Sequence, residues 1–256
     1  MAKNRDLELN EIGWWSHWAD VRWTGENSYV MLSSDFDEYL FNRAGFVDCA
    51  GWPDAIPKIE AEFEALARPS CFSVQEECGE VGAVLESRGY ATFDNMSVMQ
   101  LDRPDFKTAS GLKILSGQEV GTKEWAAAYS LSFYGGLGMQ NPVSLIADRL
   151  RTEPSVTFFA AERDGKTLGV LAAFRTPGLL GVYCVGTLGI HRSIGVASSL
   201  IHEASRMAAA EGRLLILQTI ASENAESFYA KRGFHRLYLK KLMRREASGS
   251  DPRREQ

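Results

Sequence analysis

The chain has 256 residues, 45% of them hydrophobic and 24% charged, which is the profile of a globular protein with one large or two modest domains. Its net charge of -5 argues against a nucleic-acid backbone as a partner. No apolar run reaches the length of a membrane span, and the N-terminus has no apolar signal core, so a cytoplasmic protein without a membrane partner is expected.

Cys49, Cys71, Cys78 and Cys184 form no C-x-x-C pair. The four histidines show no ligand spacing, so no metal is expected. Each cysteine reads as a small hydrophobe in a reducing compartment.

Glu8 to Trp23 reads as a helix with an aromatic face and carries Trp14, Trp15, Trp18 and Trp23. Tyr29 to Leu32 and Glu38 to Phe46 read as strands. Trp52-Pro53-Asp54 opens a helix whose face is Ile56, Ile59 and Phe63. Cys71 to Val74 is a strand, Val81 to Arg88 a helix closed by Gly89, and Tyr90 to Leu101 a long strand. Arg103 to Gly111 is the best boundary in the chain.

Beyond it, Leu112 to Leu115 starts a strand, and Glu119 to Phe133 and Pro142 to Arg149 read as helices. The loop Tyr134 to Gly138 separates those helices. Val156 to Glu162 and Leu168 to Phe174 are strands joined by Asp164-Gly165, a hairpin signal. Leu180 to Leu188 is a third strand. It runs into Arg192, Gly195 and Ala197, spaced R-x-x-G-x-A, at the head of an amphipathic helix. First-turn amides have no intrahelical acceptor and sit at the positive end of the helix dipole, so this loop is a candidate phosphate cradle. Leu214 to Thr219 is a buried strand, Asn224 to Lys231 a short helix ended by Gly233, and Phe234 to Leu242 the last strand. The polar tail spans 246–256.

Leu85 to Asp102 rhymes with Phe228 to Arg245: helix, Arg-Gly-aromatic, long strand. This suggests a duplicated unit. The first copy shows VQEECGEVGAV in place of a phosphate loop, and its acids would repel phosphate.

With VYCVGTLGIHRSIGVASSLI and SENAESFYAKRGFHRLYLKKLMRR in place, the chain resembles the GNAT superfamily of acyl-CoA N-acetyltransferases. The second stretch is similar to that family's N-x-x-A-x-x-F-Y-x-K-x-G-F motif. The resemblance implies an α/β fold, with a mixed sheet, arranged as tandem GNAT-like domains. These would be a degenerate domain at 1–106, in a structural or acceptor-side role, and an acetyltransferase domain at 107–245. Family members often carry Pro at Gly189, and Gly with a basic residue at Ser193 and Ile194.

The implied reaction transfers an acetyl group from acetyl-CoA to a primary amine of a small molecule or peptide, by direct attack in a ternary complex. By resemblance, Arg192, Ser193, Ile194, Gly195, Val196 and Ala197 hold the pyrophosphate, and Ser198 adds a hydroxyl. The backbone of Thr187, Leu188 and Ile190 pairs with pantetheine, and Asn224 binds its amides. The Leu188 amide stabilises the carbonyl oxygen, and Tyr229 donates a proton to the thiolate. Lys231 reaches the phosphates or stands solvated. The strand GVYCVGTL has no acid, so no general base is assigned. The acceptor pocket is expected from the N-terminal domain and the Tyr134-to-Gly138 loop. Two alternatives stand beside this reading: a non-catalytic acyl-CoA sensor or scaffold, and an enzyme using a longer acyl-CoA. The sequence leaves the acceptor and the oligomeric state open.

Overall fold

The structure is a computed structural model and describes residues 4–245; the expected tail at 246–256 lies outside the described residues. The chain divides into two compact units, and the division falls inside two long strands. The first unit contains 4–97, 220–223 and 238–245, and the second 98–219 and 224–237. The sequence placed the boundary at 106/107. It moves because Tyr90–Leu101 and Phe234–Arg245 are each 12 residues long. A strand of that length spans about 40 Å, more than one small unit needs.

The first unit begins with α1 (Asn4–Trp15), β1 (Asp20–Trp23), β2 (Ser28–Leu32) and β3 (Arg43–Phe46). It continues with α2 (Trp52–Ala65), β4 (Cys71–Gln75), α3 (Gly79–Ser87) and the first part of β5 (Tyr90–Leu101). β2 runs antiparallel to β1 and β3, while β3 and β4 are parallel. The helix expected through Trp23 ends at Trp15, because Asp20 to Trp23 pair with Tyr29 to Leu32. Partner strands override local helical spacing here. Trp14 and Trp18 are buried, and Trp18 packs beside Phe36 and Phe41. Ile56, Ile59 and Phe63 of α2 are buried against Val30, Ala44 and Phe72, as the sequence spacing predicts.

The second unit holds β6 (Lys113–Ser116), α4 (Thr122–Tyr134), α5 (Gln140–Leu150), β7 (Val156–Arg163) and β8 (Lys166–Thr176). Then come β9 (Leu179–Thr187), α6 (Val196–Ala210), β10 (Leu214–Ile220), α7 (Glu226–Ala230) and the first part of β11 (Phe234–Arg245). β6 to β9 form an antiparallel meander, and β10 lies parallel to β9. The Asp164-Gly165 turn has φ of 53° and 71°, the two left-handed residues a tight hairpin needs. Val196, Leu200, Ile201, Ala204 and Ala208 of α6 close one face of this sheet with Leu180, Val182, Leu215 and Leu217. Leu200 and Ile201 are fully buried, worth roughly 1.5–3 kcal/mol each.

The cysteines correct the sequence reading. Cys49 and Cys78 form a disulfide with Cα atoms 5.2 Å apart, while Cys71 and Cys184 are buried free thiols. Parallel pairing of β3 and β4 brings together the loops that follow both strands. A spacing of 29 residues could not reveal that.

Candidate functional site

The second unit's sheet opens between β9 and β10. β9 and β10 pair from Leu179↔Leu214 to Val182↔Leu217 and no further. On its other edge β9 carries one extra residue. Val170 faces Gly186 and Ala172 faces Tyr183, so only Leu171 opposes Cys184 and Val185. Cys184 sits in this bulge with φ of 54°, a left-handed conformation that costs a non-glycine residue about 1–3 kcal/mol. The bulge bends β9 just where β10 stops pairing with it. Burial raises the Cys184 thiol well above its ordinary pKa, so it stays protonated.

Beyond the bulge, the amide directions sort the expected backbone contacts. The Leu188 N–H donates to the Leu168 carbonyl at 3.0 Å, and the Leu188 carbonyl accepts from His191 N–H at 2.8 Å. Both backbone groups of Leu188 are therefore engaged. The amide is thus taken and does not face an oxyanion, while the carbonyl already accepts one bond within the turn. Ile190 lies in a tight turn at Gly189–His191 and is 88% exposed, so its backbone is not extended. Amide directions alternate along a strand. With Leu188 pointing to β8, the Thr187 amide points to the side that β10 has left. Thr187 is thus the one of the three expected residues that stays in extended β9. Its hydroxyl is buried and without a partner.

Gly195 caps α6 with φ of 93° and Ser193 has φ of 67°, so the loop turns sharply into the helix. No side chain caps α6, and its first turn holds no acid. The first helical bond is Ser199 N–H to the Gly195 carbonyl, so the amides of Val196, Ala197 and Ser198 precede any intrahelical acceptor. Arg192, Ser193 and Ile194 are exposed around this mouth. A Cβ on Gly195 would meet Ala109 N and Lys107 O at 3.2 and 3.3 Å, so here the close neighbour is the chain itself. Ala109 N–H also donates to Ser199 Oγ at 3.0 Å. The Ser198 side chain departs from expectation. It is buried, and its Oγ accepts from Arg232 Nε at 2.8 Å.

That bond brings α7 to the start of α6. Arg232 also stacks on Phe228, 3.3 Å from the ring centroid, and donates to the Phe228 carbonyl at 2.5 Å. Arg232 occupies an unspecified position of the quoted motif, between Lys231 and Gly233, so the motif does not mark it. Tyr229 is 9% exposed and packs edge-on to Phe228 and Phe234, in the same core as Leu200 and Leu217. Asn224 is exposed with φ of 53°, and Lys231 is exposed. The loop, Asn224 and Tyr229 all belong to the second unit. Among the described residues no group of three His, Cys, Asp or Glu could hold a metal ion.

From β1 to β5 the first unit runs through the same order of strands and helices as β7 to β11, which shifts the alignment expected from the sequence. Parallel β3 and β4, linked by α2, correspond to β9 and β10, linked by α6. The counterpart of the phosphate loop is therefore Val47 to Gly51. VQEECGEVGAV instead matches the stretch from β10 into α7. Gly51, with φ of 73°, precedes α2 as Gly195 precedes α6. In this loop Asp48 Oδ1 accepts the Ala50 N–H at 2.9 Å, and Asp48 Oδ2 accepts from Arg5 at 2.8 Å. The Gln75 side chain donates to the Phe46 carbonyl at 3.1 Å, where β3 and β4 stop pairing. The Cys49–Cys78 disulfide ties together the two loops beyond.

Residues 132–245 match the acetyltransferase (GNAT) domain family. Among solved structures, a GCN5-related N-acetyltransferase from Kribbella flavida is 18% identical with a TM-score of 0.69, covering 96% of this chain and 97% of that one. A GCN5-related N-acetyltransferase from Sphaerobacter thermophilus is 14% identical with a TM-score of 0.64, covering 86% and 80%. A tandem GNAT protein from the clavulanic acid biosynthesis pathway is 13% identical with a TM-score of 0.58, covering 96% and 98%. At these identities the likeness is one of fold. No curated protein matches the chain. The GNAT-like α/β fold expected from the two motifs is the fold observed. No helix among the described residues is long and apolar enough to cross a membrane.

Proposed function

We propose that the protein transfers an acetyl group from acetyl-CoA to a primary amine, with both substrates bound together. The observation that carries this reading is the opening between β9 and β10, set beside an uncapped, acid-free helix N-terminus. A linear thioester with a pyrophosphate at its far end fits both features at once. Arg192 and the amides from Ser193 to Ala197 take the pyrophosphate, with Lys231 in reach of the phosphates. The motif's asparagine slot falls on Ser222 in this chain, so the role proposed for Asn224 with the pantetheine amides rests on its exposed place two residues later. The Thr187 amide replaces Leu188 as the donor to the thioester oxygen, and its hydroxyl gains the partner it lacks. Arg232, stacked on Phe228 and bound to Ser198, positions α7 against the start of α6.

The amine enters neutral, and its nitrogen attacks the carbonyl carbon. Charge builds on the oxygen facing Thr187. The carbon–sulfur bond breaks, the attacking nitrogen loses its proton to water, and Tyr229 gives its phenolic proton to the leaving thiolate. The first unit plays a structural part and takes no donor. Its loop amide is already held by the Asp48 carboxylate, and its strand gap by Gln75 and the disulfide. A cytoplasmic location and a small-molecule or peptide acceptor complete the reading.

Tyr229→Phe tests it. Turnover, followed as thiol release from acetyl-CoA with an amine panel, should fall about a hundredfold or more. The Kd for CoA should stay within about threefold, since the ring and its packing remain. Unchanged turnover would remove Tyr229 from the acid role. Tight CoA binding with no release toward any amine would leave a sensor in place of an enzyme. A rate that rises with acyl length would assign a longer donor.

A further inference from the structure

The opening between β9 and β10 has two faces, and unpartnered polar atoms lie on both. Leu215 and Leu217 of β10 pack with α6, so alternation turns Thr219 to that face and Gln218 to the other. On β9, Val182 and Val185 pack toward α6. Gly186 turns to α4, where a Cβ would meet Ser132 Cβ at 2.9 Å and Phe133 at 3.1 Å. Register places Gln218 beside the buried Tyr183, one step past the last pair Leu217↔Val182. Both ends of the Gln218 amide, Nε2 and Oε1, are buried without a hydrogen-bond partner, and so is Ser132 Oγ. The α4 wall adds rings: Trp125 stacks on Tyr129 at a centroid distance of 5.6 Å, and Tyr129 lies tilted against Phe133 at 4.7 Å. A buried primary amide left open at both ends in such surroundings is costly unless something else completes it.

On the reading proposed above, the thioester arrives from the α6 face, where the phosphate loop and Tyr229 lie. The amine must then approach its carbonyl from the α4 face. We infer that Gln218 is the residue that selects the acceptor, and that the acceptor is a primary amine with an oxygen acceptor on the neighbouring carbon. Gln218 Oε1 accepts one N–H of the amine and turns its lone pair toward the thioester carbon. Gln218 Nε2 donates to the nearby oxygen. A ligand must present a donor and an acceptor side by side to satisfy both ends of one amide. An α-amino carbonyl compound, such as a peptide N-terminus or an amino-acid amide, does so, and so does a vicinal amino alcohol.

The test compares glycinamide, ethanolamine and propylamine as acceptors for the full-length protein and for Gln218→Leu. The wild type should favour glycinamide or ethanolamine over propylamine in kcat/KM, and the favoured one identifies the oxygen as carbonyl or hydroxyl. In Gln218→Leu that preference should shrink about tenfold, with the Kd for CoA changed less than threefold. Comparing preference ratios between the two proteins cancels the different basicities of the amines. An active wild type whose preferences survive Gln218→Leu overturns this inference alone. A wild type that binds CoA but is inert toward all three amines overturns the transferase reading and this inference with it. Loss of CoA binding in Gln218→Leu would show a packing role and overturn the selection role; Gln218→Glu, which keeps the shape but loses the Nε2 donor, should reproduce the lost preference.

Discussion

Lys240→Met is the sharpest test of the first unit's interior. Lys240, Arg43, Glu8 and Glu11 are all at most 2% exposed. Lys240 Nζ donates to Glu8 Oε2 at 3.2 Å and to Glu11 Oε2. Arg43 Nη2 donates to Glu11 Oε1 at 2.5 Å, and the Tyr238 hydroxyl to Glu8 Oε1 at 2.6 Å. Two cations thus balance two carboxylates, tying α1 to β3 and β11. Burial lifts the Glu8 carboxyl above its ordinary pKa, more than Lys240 lowers it. Burial would also lift Glu11, but Lys240 and Arg43 outweigh it and hold that carboxyl below its ordinary value. Methionine keeps the length of lysine and leaves one carboxylate unbalanced. Breaking a buried ion network from one side costs about 3–5 kcal/mol, which for a chain of this size lowers the Tm by roughly 6–20 °C.

Thermal unfolding followed by circular dichroism at pH 7 measures this directly. Glu8→Gln combined with Lys240→Met restores the charge balance and should recover at least half of the loss. The pH dependence also has a definite sign. A carboxyl raised in the folded state binds its proton more tightly there than in the unfolded chain. Stability therefore falls as pH rises from the ordinary carboxylate range through the raised value. Without Lys240 the Glu8 carboxyl rises further, so the deficit of Lys240→Met should narrow from pH 8 toward pH 5. A Tm loss below about 3 °C, or a double variant no better than the single one, would refute the reasoning.

Two further outcomes are expected. Reducing the Cys49–Cys78 disulfide, or Cys49→Ser with Cys78→Ser, should destabilise the first unit by roughly 3–4 kcal/mol from the freed loop of 29 residues, read as a lower urea midpoint; an unmoved midpoint would mean the crosslink constrains nothing. Titration calorimetry with CoA should give one site per chain, because Asp48 already holds the loop amide of the first unit, and two equivalent sites would show that this closure does not exclude the donor.

What was legible in the sequence was local. The Asp164-Gly165 turn, the glycine at the head of α6, the apolar stripe of that helix and the paired Arg-Gly-aromatic stretches each show their structure within a few residues. Gly89 and Gly233 confirm the last of these, with φ of 86° and 91° before two strands of equal length. What was not legible depends on partners distant in the chain. Nothing around Leu188 announces that Leu168 takes its amide, and nothing around Cys184 announces a bulge, because both follow from the register of β8 on β9. Glu8 and Glu11 read as an ordinary solvated helix face until β3 and β11 bring Arg43 and Lys240 to them. Pairing also decides how the two units differ. The same sequence of parallel strand, glycine-capped helix and parallel strand yields an open edge in one unit and a filled one in the other. The difference rests on Asp48, the Gln75 Nε2 donor and a disulfide, which bridge the first unit across the place where in the second Thr187, Gln218 and Thr219 are bridged by nothing. A polar pair inside the apolar run LLILQTI was the one signal in the sequence that could have marked the open edge. It acquires meaning only once β9 and β10 are seen to part immediately before it.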